Sequence, residues 1–152
     1  MGIVHDGPYE AMVGDPDDHR PQTTWRLVVD PEGRARLAVL LERCAPGDAI
    51  PLHRHDVDEA IYVIDGEGEY RLGDHVEAVA TGDTVFIPAG TPHGTRNTGQ
   101  RPLHIHAVFP QTTVKMEMLE RNPAPGTEDD LPMTSVYDFA TGQFTVEGPT
   151  AG

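Results

Sequence analysis

The chain has 152 residues, of which 38% are hydrophobic, and a formal net charge of −14 at pH 7. This length gives room for one domain with one substantial core. The negative charge disfavours nucleic acid and anionic membrane surfaces as partners. No apolar run is long enough to cross a bilayer, and the start, MGIVHDGPYE, shows no secretory signal. With a single cysteine, Cys44, and therefore no internal disulfide, the sequence predicts a cytoplasmic protein.

The first half of the chain predicts an arm followed by a hairpin. Residues 1–24 are polar and interrupted by Gly and Pro, which is typical of an irregular N-terminal arm. TWRLVVD at 24–30 and ARLAVLLER at 35–43 flank a Pro-Glu-Gly turn, so they predict two paired strands. A helix is the alternative for the Leu-rich segment, but the bounding Pro and Gly residues favour a strand.

Short apolar segments separated by turn residues continue to residue 109, and no helical pattern lies between them. Consecutive strands of this kind pair antiparallel. Closing such a sheet on itself removes its exposed edges and leaves an interior that can hold a small ligand. The sequence therefore predicts an all-β barrel over residues 25–120.

The end of the chain has two parts. In TTVKMEMLER at 112–121, Val114, Met116 and Met118 share one strand face, and this apolar edge, with the N-terminal hairpin, is a candidate pairing surface for a second copy. Residues 121–152 are rich in Pro and Gly and acidic at 128–130, so we expect an irregular C-terminal tail that packs on the barrel.

Candidate metal ligands lie around two turns. His53 and His55 are two residues apart, so on a strand they point to one face. Glu59 begins the next strand after a tight turn and returns a carboxylate to the two rings. His93 follows a Pro-Ala-Gly turn at the end of another apolar strand and is a candidate fourth ligand.

Two spaced patterns carry a resemblance to a known family. The first, G-x5-H-x-H-x3-E-x6-G, is met by Gly47, His53, His55, Glu59 and Gly66. The second, G-x5-P-x-G-x2-H-x3-N, is met by Gly82, Pro88, Gly90, His93 and Asn97. These patterns resemble the paired signatures of the cupin superfamily, over about residues 35 to 110. The resemblance implies an antiparallel double-stranded β-helix (a jelly-roll barrel), a homodimer, and His53, His55, Glu59 and His93 as ligands of one metal ion per chain.

Three neutral imidazoles and one carboxylate suit a divalent transition metal. Iron, manganese, nickel, cobalt, copper and zinc all remain open, because ligand type alone does not select among them. In an octahedral arrangement two positions would stay free for water, substrate or dioxygen.

Residues beyond the ligands are weaker candidates. His104 and His106 share one face of LHIHAVF, where they act as acid and base if that face looks inward and lie on the surface if it does not. The opposite face of this segment is apolar and fills a core better, which favours a surface position for the two histidines. Tyr62 is a further candidate catalytic group, and Arg71 a candidate for binding an anionic substrate.

Three functions remain open at this point. The resemblance favours a metal-dependent enzyme, with a dioxygenase-type reaction on a small metal-chelating molecule as the first hypothesis. The second is a Lewis-acid isomerase, cyclase or lyase, which needs a base near the metal. The third is a non-catalytic module that binds a small molecule, since cupins include such proteins.

Overall fold

A computed structural model describes residues 3–11, 23–121 and 128–151. These residues form thirteen strands in two antiparallel sheets. The strands in chain order are β1 (Glu10–Ala11), β2 (Thr24–Val28), β3 (Ala38–Cys44), β4 (Ala49–His55), β5 (Glu59–Asp65), β6 (Glu67–Leu72), β7 (His75–Ala80), β8 (Thr84–Ile87), β9 (His93–Asn97), β10 (Leu103–Phe109), β11 (Thr113–Met118), β12 (Met133–Asp138) and β13 (Gln143–Pro149). The predicted all-β jelly-roll architecture is confirmed.

One sheet has six strands in the order β1-β2-β3-β10-β5-β8, and the other has seven in the order β13-β12-β11-β4-β9-β6-β7. The core lies between them and follows the period-2 alternation of strands. In β10, Ile105, Ala107 and Phe109 are almost fully buried, whereas the intervening residues are partly or fully exposed. Each large apolar side chain buried in this way contributes roughly 1.5–3 kcal/mol of transfer free energy.

The N-terminal hairpin forms as predicted. β2 pairs antiparallel with β3 from Thr24 opposite Arg43 to Val28 opposite Val39, and β10 pairs along the other edge of β3. The Leu-rich segment is thus a strand with neighbours on both sides. Of the predicted N-terminal arm, residues 12–22 lie outside the described part of the chain, and Glu10–Ala11 adds a short strand to β2.

The C-terminal segment differs from the irregular tail that the sequence predicted. β12 and β13 form an antiparallel hairpin that extends the seven-stranded sheet. Its turn is closed by the side chain of Asp138, which accepts a hydrogen bond from the Ala140 N–H at 2.9 Å, and by Gly142, whose φ of 74° favours glycine.

The same hairpin changes the expected pairing surface. β11 lies between β4 and β12 within this chain, so its backbone is paired on both sides and is no free edge for a second copy. The apolar face of β11 was predicted correctly, since Met116 and Met118 on that face line the interior cavity. No helix within the described ranges is long and apolar enough to cross a membrane.

Candidate metal centre

Three strands bring the predicted ligands together. His53 and His55 lie at the end of β4, Glu59 begins β5, and His93 begins β9 directly opposite His53 in the ladder. The two motif loops are also joined to each other. The Gly90 N–H donates to the His55 carbonyl at 2.8 Å, and the Ala89 N–H donates to the Asp58 carboxylate at 2.9 Å. This backbone framework fixes the directions of the four side chains.

The four side chains form one buried cluster. His53, His55, Glu59 and His93 are each at most 6% exposed. One ring nitrogen from each histidine lies within 4.8 Å of the other two, which is a spacing that can hold a metal ion. A carboxylate oxygen of Glu59 is 3.0 Å from His93 Nε2 and 3.6 Å from His55 Nε2, so it faces the same point.

Hydrogen bonds set the tautomer of each imidazole. The Nδ1 atoms of His53, His55 and His93 lie 2.8, 3.2 and 2.9 Å from the backbone carbonyls of Pro51, Lys115 and Thr91. A carbonyl oxygen only accepts, so each Nδ1 carries the proton. In a neutral ring held in this way, Nε2 keeps the lone pair that binds a metal ion, and the carbonyl at Nδ1 is the kind of hydrogen-bond partner that orients metal-bound histidines.

These lone pairs provide the test of whether a metal ion fits. Among the described residues, His93 Nε2 and Glu59 Oε2 are both buried without a hydrogen-bond partner, and only 3.0 Å separates them. A buried ring nitrogen and a carboxylate oxygen this close together suit a cation that binds to both. Burial, followed by the neighbouring histidines, lowers the pKa of His53 well below its ordinary value. Burial likewise lowers the pKa of His55. Both rings are therefore neutral at pH 7 and can bind a metal ion through a ring nitrogen. The cluster fits a cation.

Asn97, the last residue of the second motif, has a structural role. Its amide donates to the carbonyls of Cys44 and Arg101, both at 2.8 Å, and its side-chain oxygen accepts from the Gly99 N–H at 2.9 Å. Asn97 itself is fully buried, and its hydrogen bonds join the end of β9 to β3. Cys44 is also fully buried, and burial raises the pKa of its thiol to about 11, so it acts as a small core residue.

The cluster opens on a cavity of about 280 Å³. Three of the cluster residues, His53, His55 and Glu59, line it, and most of the remaining wall is apolar. Aromatic and thioether side chains form part of that wall: Trp25, Met116, Met118, Met133, Tyr137 and Phe144. The three aromatic rings contact one another, with centroids 5.0–5.8 Å apart.

Sequence reasoning missed one polar residue of this cavity. Glu42 lies on β3 between Leu40 and Cys44, faces inward with them, and is 6% exposed. Burial, and to a lesser degree the charge of Glu59, raises the pKa of Glu42 to about 8. The signal in the sequence that could have identified Glu42 is its alternate position on a strand face that is otherwise apolar.

The structure does not bring the other candidate residues to the cavity. His104 and His106 project from β10 on the face opposite Ile105, and His104 Nε2 lies 3.1 Å from the Tyr9 hydroxyl on the N-terminal segment. Tyr62 is 45% exposed and pairs with His106 in the ladder. Arg71 is exposed and forms an ion pair with Glu120 at 2.7 Å. The surface alternative for the two histidines agrees with this placement.

Comparison with known proteins identifies the family. The family profile described as "Cupin domain" matches residues 40–109, which contain both motifs and all four cluster residues. An oxalate-binding protein of Thermotoga maritima is 32% identical over 50% of this chain and 63% of its own. Residues 40–109 of this chain thus form a cupin domain.

Two further proteins resemble this chain to very different extents. Quercetin 2,3-dioxygenase of Bacillus subtilis is 46% identical over 56 residues, which are 36% of this chain and 17% of the dioxygenase. The polyketide cyclase RemF of Streptomyces resistomycificus has a solved structure with a TM-score of 0.65 and 26% identity, over 93% of this chain and 97% of the cyclase. The chain thus spans less than two thirds of both curated relatives but nearly all of the cyclase structure.

Proposed function

We propose that this cupin is a metal-dependent enzyme that uses a divalent ion as a Lewis acid on an apolar, carbonyl-bearing aromatic molecule, in a cyclisation or a related isomerisation. One observation carries the proposal: the buried ligand cluster opens on an aromatic wall to which the C-terminal hairpin contributes Tyr137 and Phe144. This hairpin lies beyond the residues that the cupin profile matches. The likeness to the polyketide cyclase extends over nearly the whole chain and supports the same class of reaction.

The wall supports the substrate class. Trp25, Tyr137 and Phe144 form a set of edge-to-face and tilted ring contacts that a flat aromatic ligand can join. Met116 and Met118 add polarisable side chains that adapt to irregular shapes. A cavity of about 280 Å³ holds one small molecule and is at the lower end of the usual range for ligand sites.

The ligand set supports the cofactor. His53, His55, His93 and Glu59 would hold the ion, through one ring nitrogen of each histidine and through Glu59 Oε2, which has no hydrogen-bond partner among the described residues. When bound, a divalent ion supplies Lewis-acid polarisation of a substrate oxygen. The chain itself holds the imidazoles in one tautomer, keeps the site buried, and places the aromatic wall beside it.

A dioxygenase reaction is the second candidate function. The observation that favours it is the 46% identity to quercetin 2,3-dioxygenase across a segment of 56 residues. That segment is only 17% of the dioxygenase, so the likeness speaks to a shared local site more than to a shared substrate.

The test begins with elemental analysis of the purified protein before and after reconstitution with zinc, manganese or iron. The His53→Ala/His93→Ala variant is analysed in parallel. We expect near-stoichiometric metal in the wild type and none above background in the variant. Aromatic compounds with several carbonyl groups, and flavonols, are then supplied with and without oxygen.

The three results separate the candidates. Turnover that persists under strict anaerobiosis supports the Lewis-acid reaction. Turnover that consumes oxygen and stops without it supports the dioxygenase and contradicts the main proposal. A wild type that takes up no metal contradicts both. The homodimer and the cytoplasmic location stay predictions from the sequence and the family.

A further inference from the structure

Glu42 occupies a position in which a carboxyl group is costly. It lies in the middle of the six-stranded sheet, directly opposite Trp25 on β2 and Ile105 on β10, and its side chain faces the core. Neighbouring inward positions on the same strand, Ala38 and Leu40, are apolar. Packing alone would favour another aliphatic side chain at this position.

The carboxyl group has no local partner to offset that cost. Among the residues that the structure describes, none donates a hydrogen bond to it, and no cation pairs with it. It lines the same cavity as His53, His55 and Glu59. A carboxyl group that faces a ligand cavity from an otherwise apolar strand face is a candidate functional group.

The other polar side chains of the cavity have different roles. His53, His55 and Glu59 direct lone pairs at the metal position. The Tyr137 hydroxyl donates to Met116 Sδ at 3.7 Å, and burial raises the pKa of this phenol above its ordinary value. The charged residues Glu120, Arg121 and Asp130 complete the lining but are exposed. Among the described residues, Glu42 is therefore the buried titratable group of the cavity outside the ligand set and the contact of Tyr137 with Met116.

We propose that Glu42 is a catalytic residue whose carboxyl group transfers a proton between carbon and oxygen atoms of a carbonyl substrate held in the cavity. This inference rests on the proposed Lewis-acid function and assigns the base that such a reaction needs. A carboxylate in apolar surroundings is a stronger base than one in water, because burial disfavours its charge. The raised pKa of Glu42, about 8, is consistent with that role.

The proton transfer balances without a further reactant. The carboxylate takes a proton from a carbon next to a carbonyl group, and the C–H electron pair becomes the C=C bond of an enolate. The carbonyl π pair moves onto oxygen, and the carboxylic acid returns its proton to that oxygen. The net change is keto to enol, and Glu42 ends as the carboxylate with which it began.

Benzoylacetone is a suitable probe, because it combines a phenyl ring with two carbonyl groups and its keto and enol forms differ in ultraviolet absorbance. The rate of keto–enol interconversion is measured for the wild type, Glu42→Gln, Glu42→Asp and the control Glu77→Gln, each metal-free and zinc-loaded. Glu77 is an exposed carboxylate on β7, remote from the cavity lining. Zinc content and the dissociation constant for benzoylacetone are measured on the same samples.

We expect the wild type to accelerate the interconversion and Glu42→Gln to lose on the order of 10²-fold of that rate. Zinc content should be unchanged, and the dissociation constant should change less than threefold. Glu42→Asp, which keeps the carboxyl group, should retain part of the rate, and Glu77→Gln all of it. The proposal is overturned if Glu42→Gln matches the wild type, or if the fully zinc-loaded wild type gives no acceleration.

Failure of the proposed function looks different in this experiment. A wild type without zinc after reconstitution would contradict the metal-dependent function. In that case the metal-free rates decide the role of Glu42: acceleration by the wild type that Glu42→Gln loses supports it, and equal rates, including no acceleration by either protein, overturn it.

Discussion

At the scale of single residues, Glu42 also makes the stability of the protein depend on pH. A carboxyl group whose pKa is higher in the folded chain than in the unfolded chain binds more protons when folded. Its pKa rises from an ordinary value of 4.5 to about 8, with burial as the main cause. The folded state is therefore penalised as pH rises from about 4.5 towards 8, and the full penalty applies above that range.

Glu42→Gln removes this penalty and keeps the shape of the side chain. We expect the variant to gain stability relative to the wild type as pH rises, by up to about 1.4 kcal/mol per pH unit between pH 5 and 8. Urea unfolding followed by the fluorescence of Trp25, the single tryptophan of the chain, measures the difference. Stability profiles of the two proteins that run parallel from pH 5 to 9 would contradict it. The other titratable groups of the cavity are identical in both proteins: His53, His55, Glu59, Glu120, Arg121, Asp130 and Tyr137.

At the scale of elements, the site depends on how closely β6 approaches its neighbours. Gly68 on β6 pairs with Asn97 on β9, and a Cβ atom added to it would lie 2.6 Å from the Arg96 carbonyl oxygen. It would also lie 2.8 Å from a methyl group of Leu103 on β10. The backbone oxygen cannot move without displacing β9, the strand that carries His93.

Gly68→Ala should therefore destabilise the protein by about 1–3 kcal/mol, the usual range for overpacking in a core. Because β9 has to shift, zinc affinity should fall as well. Urea unfolding and zinc titration measure the two effects, with Glu69→Ala, an exposed neighbour on β6, as the control. A Gly68→Ala protein with the unfolding midpoint of the control would show that β6 and β9 separate at little cost.

How far the sequence predicted each element depended on the strength of the local signal. The strands that carry His53, His55, Glu59 and His93 were predicted because fixed spacings and turn residues determine their phase. The hairpin of β12 and β13 was missed because its Pro/Gly-rich surroundings and partly polar strands give a weak alternation. Since a one-residue error in strand phase exchanges inside for outside, the inward direction of Glu42 became clear only from the pairing of β3 with β2 and β10.

At the scale of the whole molecule, the two sheets together build the site. The four cluster residues come from both, since β4 and β9 belong to the seven-stranded sheet and β5 to the six-stranded one. The aromatic wall is also shared, with Trp25 on one sheet and Tyr137 and Phe144 on the other. A ligand held by both sheets binds only the folded state, so its binding free energy adds to the stability of the whole domain.

The protein should accordingly be stabilised by metal. At a free zinc concentration one hundred times the dissociation constant, the gain is about 2.7 kcal/mol, which for a domain of this size raises Tm by about 5–10 °C. Thermal unfolding of chelator-treated protein, with and without added zinc, measures the shift.

The His53→Ala/His93→Ala variant separates specific binding from general effects of zinc. It lacks two of the three clustered nitrogens, so zinc should leave its Tm unchanged. If zinc raises the Tm of this variant as much as that of the wild type, the ion stabilises the fold from another site, and the cluster does not link metal binding to folding.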